Sequence, residues 1–163
     1  MKRTAAKPGN KIAEPVSPQD STGFRLWHVH HQWLRFLDGR LASLNLTHLQ
    51  FVLLAVCHYL VGQGEVPSQI RLASVTAFDK MMVSNALRLL ESKGYLQRGP
   101  HPDDPRAKRI DLTDEGRRVM LRGKTIASNA LADFFGVLGK EEKTLARLLQ
   151  VLMNAHGGDC PRL

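Results

Sequence analysis

At 163 residues the chain has the length of one ordinary domain, or of one domain with an oligomerisation extension. Its 43% apolar fraction supports a packed core and excludes global disorder, while 23 Lys and Arg against 15 Asp and Glu give +8, a balance suited to a polyanion and shared with basic ribosomal and membrane-surface proteins. The longest uninterrupted apolar run, residues 51–57, is too short to span a bilayer, so no membrane partner is expected.

The opening segment has no apolar stretch of the kind a secretory signal needs. Cys57 and Cys160 make neither a disulfide framework nor a zinc-ligand spacing, so a reducing cytoplasm is the expected compartment. Residues 1–22, with three prolines, four basic residues and little apolar surface, read as a flexible tail. A helical pattern follows over residues 24–44. Leu26, His30, Trp33, Leu37, Leu41 and Leu44 form its stripe, with Trp27 and Leu34 beside it. Two tryptophans on one helix are a large apolar surface, for the chain's own core or for a partner subunit.

Asn45 tolerates the left-handed conformation at a helix end, and Thr47 with Gln50 gives the T-x-x-Q spacing of a capping box. The helix that box opens, residues 48–61, is apolar almost all round and is expected at the centre of the core. Gly62 and Gly64 stop it. Pro67 and Ser68 then start a short helix to Ala73, with Ile70, Leu72 and Ala73 expected inward, and residues 75–78 make a turn.

The stretch DKMMVSNALRLLESKG, residues 79–94, carries Met82, Val83, Ala86, Leu87, Leu89 and Leu90 at helical spacing and ends on Lys93 and Gly94, a helix-stop pair. Its other face carries Lys80, Met81, Ser84, Asn85 and Arg88. Lys and Arg pair with phosphate or guanine, Ser with base edges or phosphate, and Asn with adenine. Alone, that face is an ordinary solvated helix surface. A short helix, a tight turn and a polar-faced helix in succession make a helix-turn-helix, and the flanks turn the surface into a candidate reader of DNA.

After Gly94 the pattern shortens to that of strands. Residues 95–98 and 109–112 bracket GPHPDDPRAK, whose three prolines and two aspartates favour an extended hairpin with a basic tip of Arg106, Lys108 and Arg109. Thr113 caps a long helix to about Gly136, with Asp114 and Glu115 in its first turn. A last helix over residues 140–155 places Leu145, Leu148, Leu149 and Leu152 on one stripe, and residues 157–163 form a tail.

Catalytic signatures are missing: there is no nucleophile elbow, no phosphate loop and no metal-ligand spacing, so neither enzyme activity nor a cofactor is expected. His28, His30 and His31 cluster early in the first helix, where packing or dimer contact outweighs metal binding. Cys57 lies on the all-apolar helix, and a buried thiol without a basic neighbour is inert.

Four blocks resemble the MarR family (multiple-antibiotic-resistance regulators). They are LASLNLTHLQFVLL, PSQIRLASVTAFDKMMVSNALRLLESKGYLQR, HPDDPRAKRIDLTDEGRRV and KEEKTLARLLQVL. The most specific feature is D-x-R followed by L-T-x-x-G, here Asp104, Arg106, Leu112, Thr113 and Gly116. The resemblance implies a mainly α fold with a small β-hairpin: a winged helix-turn-helix domain at residues 46–112, with dimerisation helices at 23–45 and 113–156. It implies a homodimeric transcription regulator, a repressor released by a small aromatic effector, on a pseudo-palindromic double-stranded-DNA operator. The alternative is an architectural or protein-interaction module without base specificity.

Carried over by position, Lys80, Met81, Ser84, Asn85 and Arg88 would face the major groove. Arg106, held by a bond from its guanidinium to Asp104, would enter the minor groove. Ser68, Gln69, Arg98, Lys108 and Arg109 would touch phosphates, and Trp27, His30 and Trp33 would meet the effector. The sequence departs from the family pattern at Ala77, where relatives often place glycine, and at Pro105 between Asp104 and Arg106.

Overall fold

The computed structural model describes residues 17–156, so Cys160 and the expected tail at 157–163 lie outside it, as do residues 1–16 of the first tail. Within residues 17–22 the chain is partly helical. Pro18–Asp20 form a 3-10 turn in which the Ser17 carbonyl accepts from the N–H of Asp20 at 2.8 Å, and α1 (Thr22–Leu41) begins at Thr22.

Two compact units divide within α1, between Gln32 and Trp33. In the first unit, Phe24, Leu26, Trp27 and Val29 are 42–56% exposed, and the Trp27 ring meets His31 edge-on at 4.6 Å. The second unit holds the core. There Leu37 and Leu41 of α1 are buried, and a 3-10 turn, Ala42–Leu44, ends on Asn45 with φ 54° and ψ 39°. Thr47 and Gln50 then cap α2 (His48–Gly62) reciprocally, each side-chain oxygen accepting the other's backbone N–H at 3.3 Å. As its nearly continuous apolar character predicts, α2 is central, with Leu53, Leu54, Val56, Cys57 and Leu60 buried. Each of those leucines contributes about 2 kcal/mol over leaving it exposed.

Ser68 caps α3 (Gln69–Thr76), accepting from the Arg71 N–H at 3.3 Å. The helix runs one turn beyond the expected end at Ala73. Leu72 and Ala73 face inward as expected, but Ile70 does not: it is 69% exposed, because in α3 the inward stripe falls on Leu72 and Ala73 two and three positions later. Ala77 closes the helix in the left-handed region at φ 55° and ψ 17°, the conformation a glycine would take without strain. Asp79 caps α4 (Lys80–Ser92), accepting from the N–H of Met81 at 2.8 Å and of Met82 at 3.3 Å. Val83, Ala86, Leu87 and Leu90 are buried, whereas Met82 and Leu89, expected on the same stripe, are 50% and 53% exposed at its edges.

The hairpin pairs β1 (Leu96–Pro100) with β2 (Lys108–Leu112), Leu96 opposite Leu112 and Pro100 opposite Lys108. Its base is tied to the start of α3, since Ser68 bridges Arg109 and the Ile110 N–H reaches the Pro67 carbonyl at 2.9 Å. Thr113 caps α5 (Asp114–Phe135), which is followed by a 3-10 stretch, Gly136–Glu141, and by α6 (Glu142–Ala155). Among the described residues no single helix is long and apolar enough to cross a membrane.

The L-T-x-x-G spacing has a steric cause. A Cβ on Gly116 would lie 1.9 Å from the Tyr95 carbonyl oxygen, which itself accepts the Thr113 N–H at 3.1 Å. Backbone meets backbone there, so no side chain can yield. Gly116→Ala should therefore destabilise the fold by about 2–3 kcal/mol despite alanine's better helix propensity, seen as a lower midpoint in urea with an unchanged slope. A midpoint equal to wild type would mean that this junction relaxes freely.

Candidate nucleic-acid interface

Four buried residues anchor α4 and leave the opposite face outward. Lys80, Met81, Asn85 and Arg88 are exposed, and Ser84 is half-buried beside them. The side chains on this face are not independent. Asn85 Oδ1 accepts a short hydrogen bond from Arg88 Nη2, the i,i+3 spacing bringing the two together on one surface. The amide nitrogen of Asn85 and the remaining guanidinium donors of Arg88 are left to face outward. A donor array of this kind on a helix matches the acceptor-rich edge of guanine and the acceptor N7 of adenine.

The hairpin carries the second set of cations. Its tip is the turn Asp104-Pro105-Arg106-Ala107, closed by the Ala107 N–H on the Asp104 carbonyl at 3.0 Å. Asp at the first position and Pro at the second suit such a turn. The expected bond between Asp104 and the Arg106 guanidinium is replaced by another: Asp104 Oδ1 accepts the backbone N–H of Arg106 at 2.9 Å. Pro105 fixes φ between them, so the carboxylate folds back on the main chain. Asp104 thus shapes the turn and leaves the Arg106 side chain exposed.

Further from the tip the cations are increasingly engaged. Lys108 is exposed, and Arg109 holds Asp111 at 2.8 Å with its side chain 44% exposed. Arg98 pairs with Glu91 of α4 at 3.0 Å and is 26% exposed, with Nη2 buried and without a hydrogen-bond partner among the described residues. The Ser68 hydroxyl is occupied by the α3 cap, and Gln69 is half-buried at its first position. His101, which the sequence did not single out, accepts the Asp103 N–H on Nδ1 at 3.2 Å, and its Nε2 lies 3.4 Å from the Val66 carbonyl.

The aromatic residues considered for an effector fall in different surroundings. Trp33 packs on Phe134 at 5.3 Å and Phe135 at 5.5 Å, and Phe134 also meets Phe36. In the first unit, the His30 ring lies 5.7 Å from that of His31. Among the described residues no three His, Cys, Asp or Glu side chains converge on a metal-sized site. Cys57 is fully buried, its Sγ donates to the Ile110 carbonyl at 3.5 Å, and burial, with a smaller contribution from Asp111, pushes the thiol up to about 12.

Against known proteins, the family model described as MarR family matches residues 46–108. An uncharacterised HTH-type transcriptional regulator, YdcH of Bacillus subtilis, is 37% identical over 135 residues, 83% of this chain and 92% of that one. A crystal structure of a mutant E. coli MarR complexed with operator DNA superposes with a TM-score of 0.71 at 24% identity, covering 80% of this chain and 92% of that chain. CouR from Rhodococcus jostii, bound to p-coumaroyl-CoA, gives 0.71 at 24% identity, covering 85% and 94%. At that identity the two structures speak for the fold.

A thiol held neutral and enclosed should be unreactive. In a Cys160→Ser background, Cys57 should resist a thiol-specific disulfide reagent at pH 8 in the native protein and react fully once unfolded. Rapid labelling of the native protein would show that Cys57 is reactive.

Proposed function

The chain belongs to the MarR family of transcription regulators, and from that premise we propose that it is a homodimeric repressor that binds a pseudo-palindromic operator and is released by a small aromatic effector. The observation that carries the reading is the outward face of α4, where Lys80, Met81, Ser84, Asn85 and Arg88 stand on a helix anchored by four buried residues. A helix of this kind fits the major groove, where each base pair presents its own pattern of donors and acceptors. The exposed Arg106 at the hairpin tip suits the narrow minor groove, whose concentrated negative potential favours a single arginine. Lys108 and Arg109, with Ser68, Gln69 and Arg98 nearer the hairpin base, contact phosphates and fix register without reading bases. For Arg98 that contact requires its pair with Glu91 to open.

The domain with this surface spans residues 46–112. Dimerisation falls to residues 23–45 and 113–156. In α6 no side chain is buried, and Leu148, Val151 and Leu152 are 48–54% exposed along one stripe. Exposed apolar rows of that length are uncommon on monomers. The likeness to an operator-bound regulator and to one holding p-coumaroyl-CoA supports the DNA and effector assignments, and Trp27, His30 and Trp33 are the effector contacts we assign. The protein acts in the cytoplasm and catalyses nothing.

Selection of binding sites from random duplexes tests the central claim. One preferred sequence, with half-sites about 34–36 Å apart, is expected, whereas retention of all duplexes alike would make the protein an architectural module. On the selected site Arg88→Ala should cost about 1–3 kcal/mol and relax the sequence preference. Lys108→Ala should weaken all duplexes and lower the salt slope by about 1. An unchanged selected sequence for Arg88→Ala would show that α4 is not the reader.

The dimer is tested by sedimentation at micromolar concentration. Wild type should be dimeric and Leu148→Glu monomeric or weakened, because the new carboxylate would be desolvated in the interface. A monomeric wild type would remove the two-fold argument for a palindromic operator.

A further inference from the structure

Lys93, the residue that ends α4, takes no part in the outward face just described. Its side chain turns back toward the corner between α1 and α2, where Nζ donates to the Asn45 carbonyl at 2.6 Å and to Gln50 Oε1 at 3.1 Å. Both acceptors are already fixed. Asn45 is held in the left-handed region, and the 5% exposed Gln50 uses the same oxygen to accept the Thr47 N–H of the capping box. Charge-assisted bonds to oriented acceptors are stronger than neutral ones. A cation is also favoured at a helix C-terminus.

The same corner reaches the other end of α4. Asp38 accepts from the His48 backbone N–H and lies 3.1 Å from its Nδ1, and the His48 ring centroid is 6.3 Å from that of Phe78, just before the α4 cap. Residues 45–50 therefore touch the chain on both sides of α4. We propose that Lys93 is a positioning residue for operator recognition, holding the C-terminal end of α4 on the α1–α2 corner so that Asn85 and Arg88 meet the bases in one register. The proposal rests on α4 being the reading helix.

The magnitude of the lever is set by the helix length. At 13 residues α4 is about 20 Å long, so a pivot of about 3° at one end carries the other by about 1 Å, and Asn85 and Arg88 near the middle by about 0.5 Å. Base-edge contacts hold within about 0.5 Å. The buried Val83, Ala86, Leu87 and Leu90 hold α4 on the core by close packing. Lys93 adds two directional bonds to that packing, one to the Asn45 carbonyl in the α1–α2 corner and one to Gln50 in the first turn of α2.

Lys93→Met keeps the aliphatic stem and removes the donors, and Lys93→Gln keeps a donor without the charge. Affinity of the full dimer for the selected operator and for a random duplex is measured against salt concentration. Lys93→Met should lose about tenfold on the operator, with affinity for random duplex and the salt slope unchanged, and Lys93→Arg should restore most of the loss. If Lys93→Met does not fold, Lys93→Gln should show a smaller loss confined to the operator. Equal loss on both duplexes with a slope lower by about 1 would make Lys93 a phosphate contact and overturn the proposal. So would wild-type discrimination by the folded variants. Arg88→Ala in the same assay separates the two failures: if it too leaves operator binding intact, the reading of α4 falls, and if it alone loses binding, only the role of Lys93 does.

Discussion

Thr113 joins three parts of the protein through its hydroxyl and its backbone N–H. Its Oγ1 donates to the Gly94 carbonyl at 2.7 Å, just past the end of α4, and accepts the Gly116 N–H at 3.0 Å in the first turn of α5. Its own N–H goes to Tyr95, at the entrance to β1. The end of α4, the start of the hairpin and the first turn of α5 therefore meet within a few ångströms. They can do so only because Gly116 lacks a Cβ. If α5 started further away, the hydroxyl could not serve both partners, and the wing would lose its fixed angle to α4. A hydrogen bond of this sort contributes at most about 1 kcal/mol, but its geometric effect is larger than that figure suggests.

From that junction the division of labour on the proposed DNA-facing surface follows. Residues near the junction are engaged with the protein: Arg98 with Glu91, Arg109 with Asp111, Ser68 with the α3 cap. Residues far from it, on the outer face of α4 and at the wing tip, are exposed. Exposed pairs contribute little to stability, typically under about 1 kcal/mol, so this surface is free to carry charge for a partner without being needed by the fold. The net charge of +8 acts at longer range, drawing a polyanion in before any specific contact forms.

Much of this was legible in the sequence because it rests on local chemistry. The capping box at Thr47 and Gln50, the left-handed Asn45, the Thr113 cap and the central apolar α2 all depend on residues within a few positions of one another, and all are present. The departure at Ala77 was also visible, and the structure gives it the left-handed backbone that glycine would occupy. What escaped depends on distance in the chain. Lys93 and Gln50 are 43 residues apart, and nothing in either segment announces the bond. Ile70 looked like core on periodicity, yet an eight-residue helix has too few turns to fix the phase of its stripe. At Asp104 the choice between a guanidinium and a backbone N–H two residues on is a matter of turn geometry, and Pro105 decided it.

The bond between Asn85 and Arg88 bears on how the DNA preference of such a protein can drift. Each side chain sets the rotamer and free donors of the other, so, with α4 as the proposed reading helix, a change at either position alters what both would present to the groove. On that proposal, a lineage changing one of them would weaken its hold on the old operator before acquiring a new one. Lys80 and Met81, which stand outside that pair, can vary one at a time. Divergence among descendants of this regulator should then run gradually through the first turn of α4 and in jumps through the middle of it.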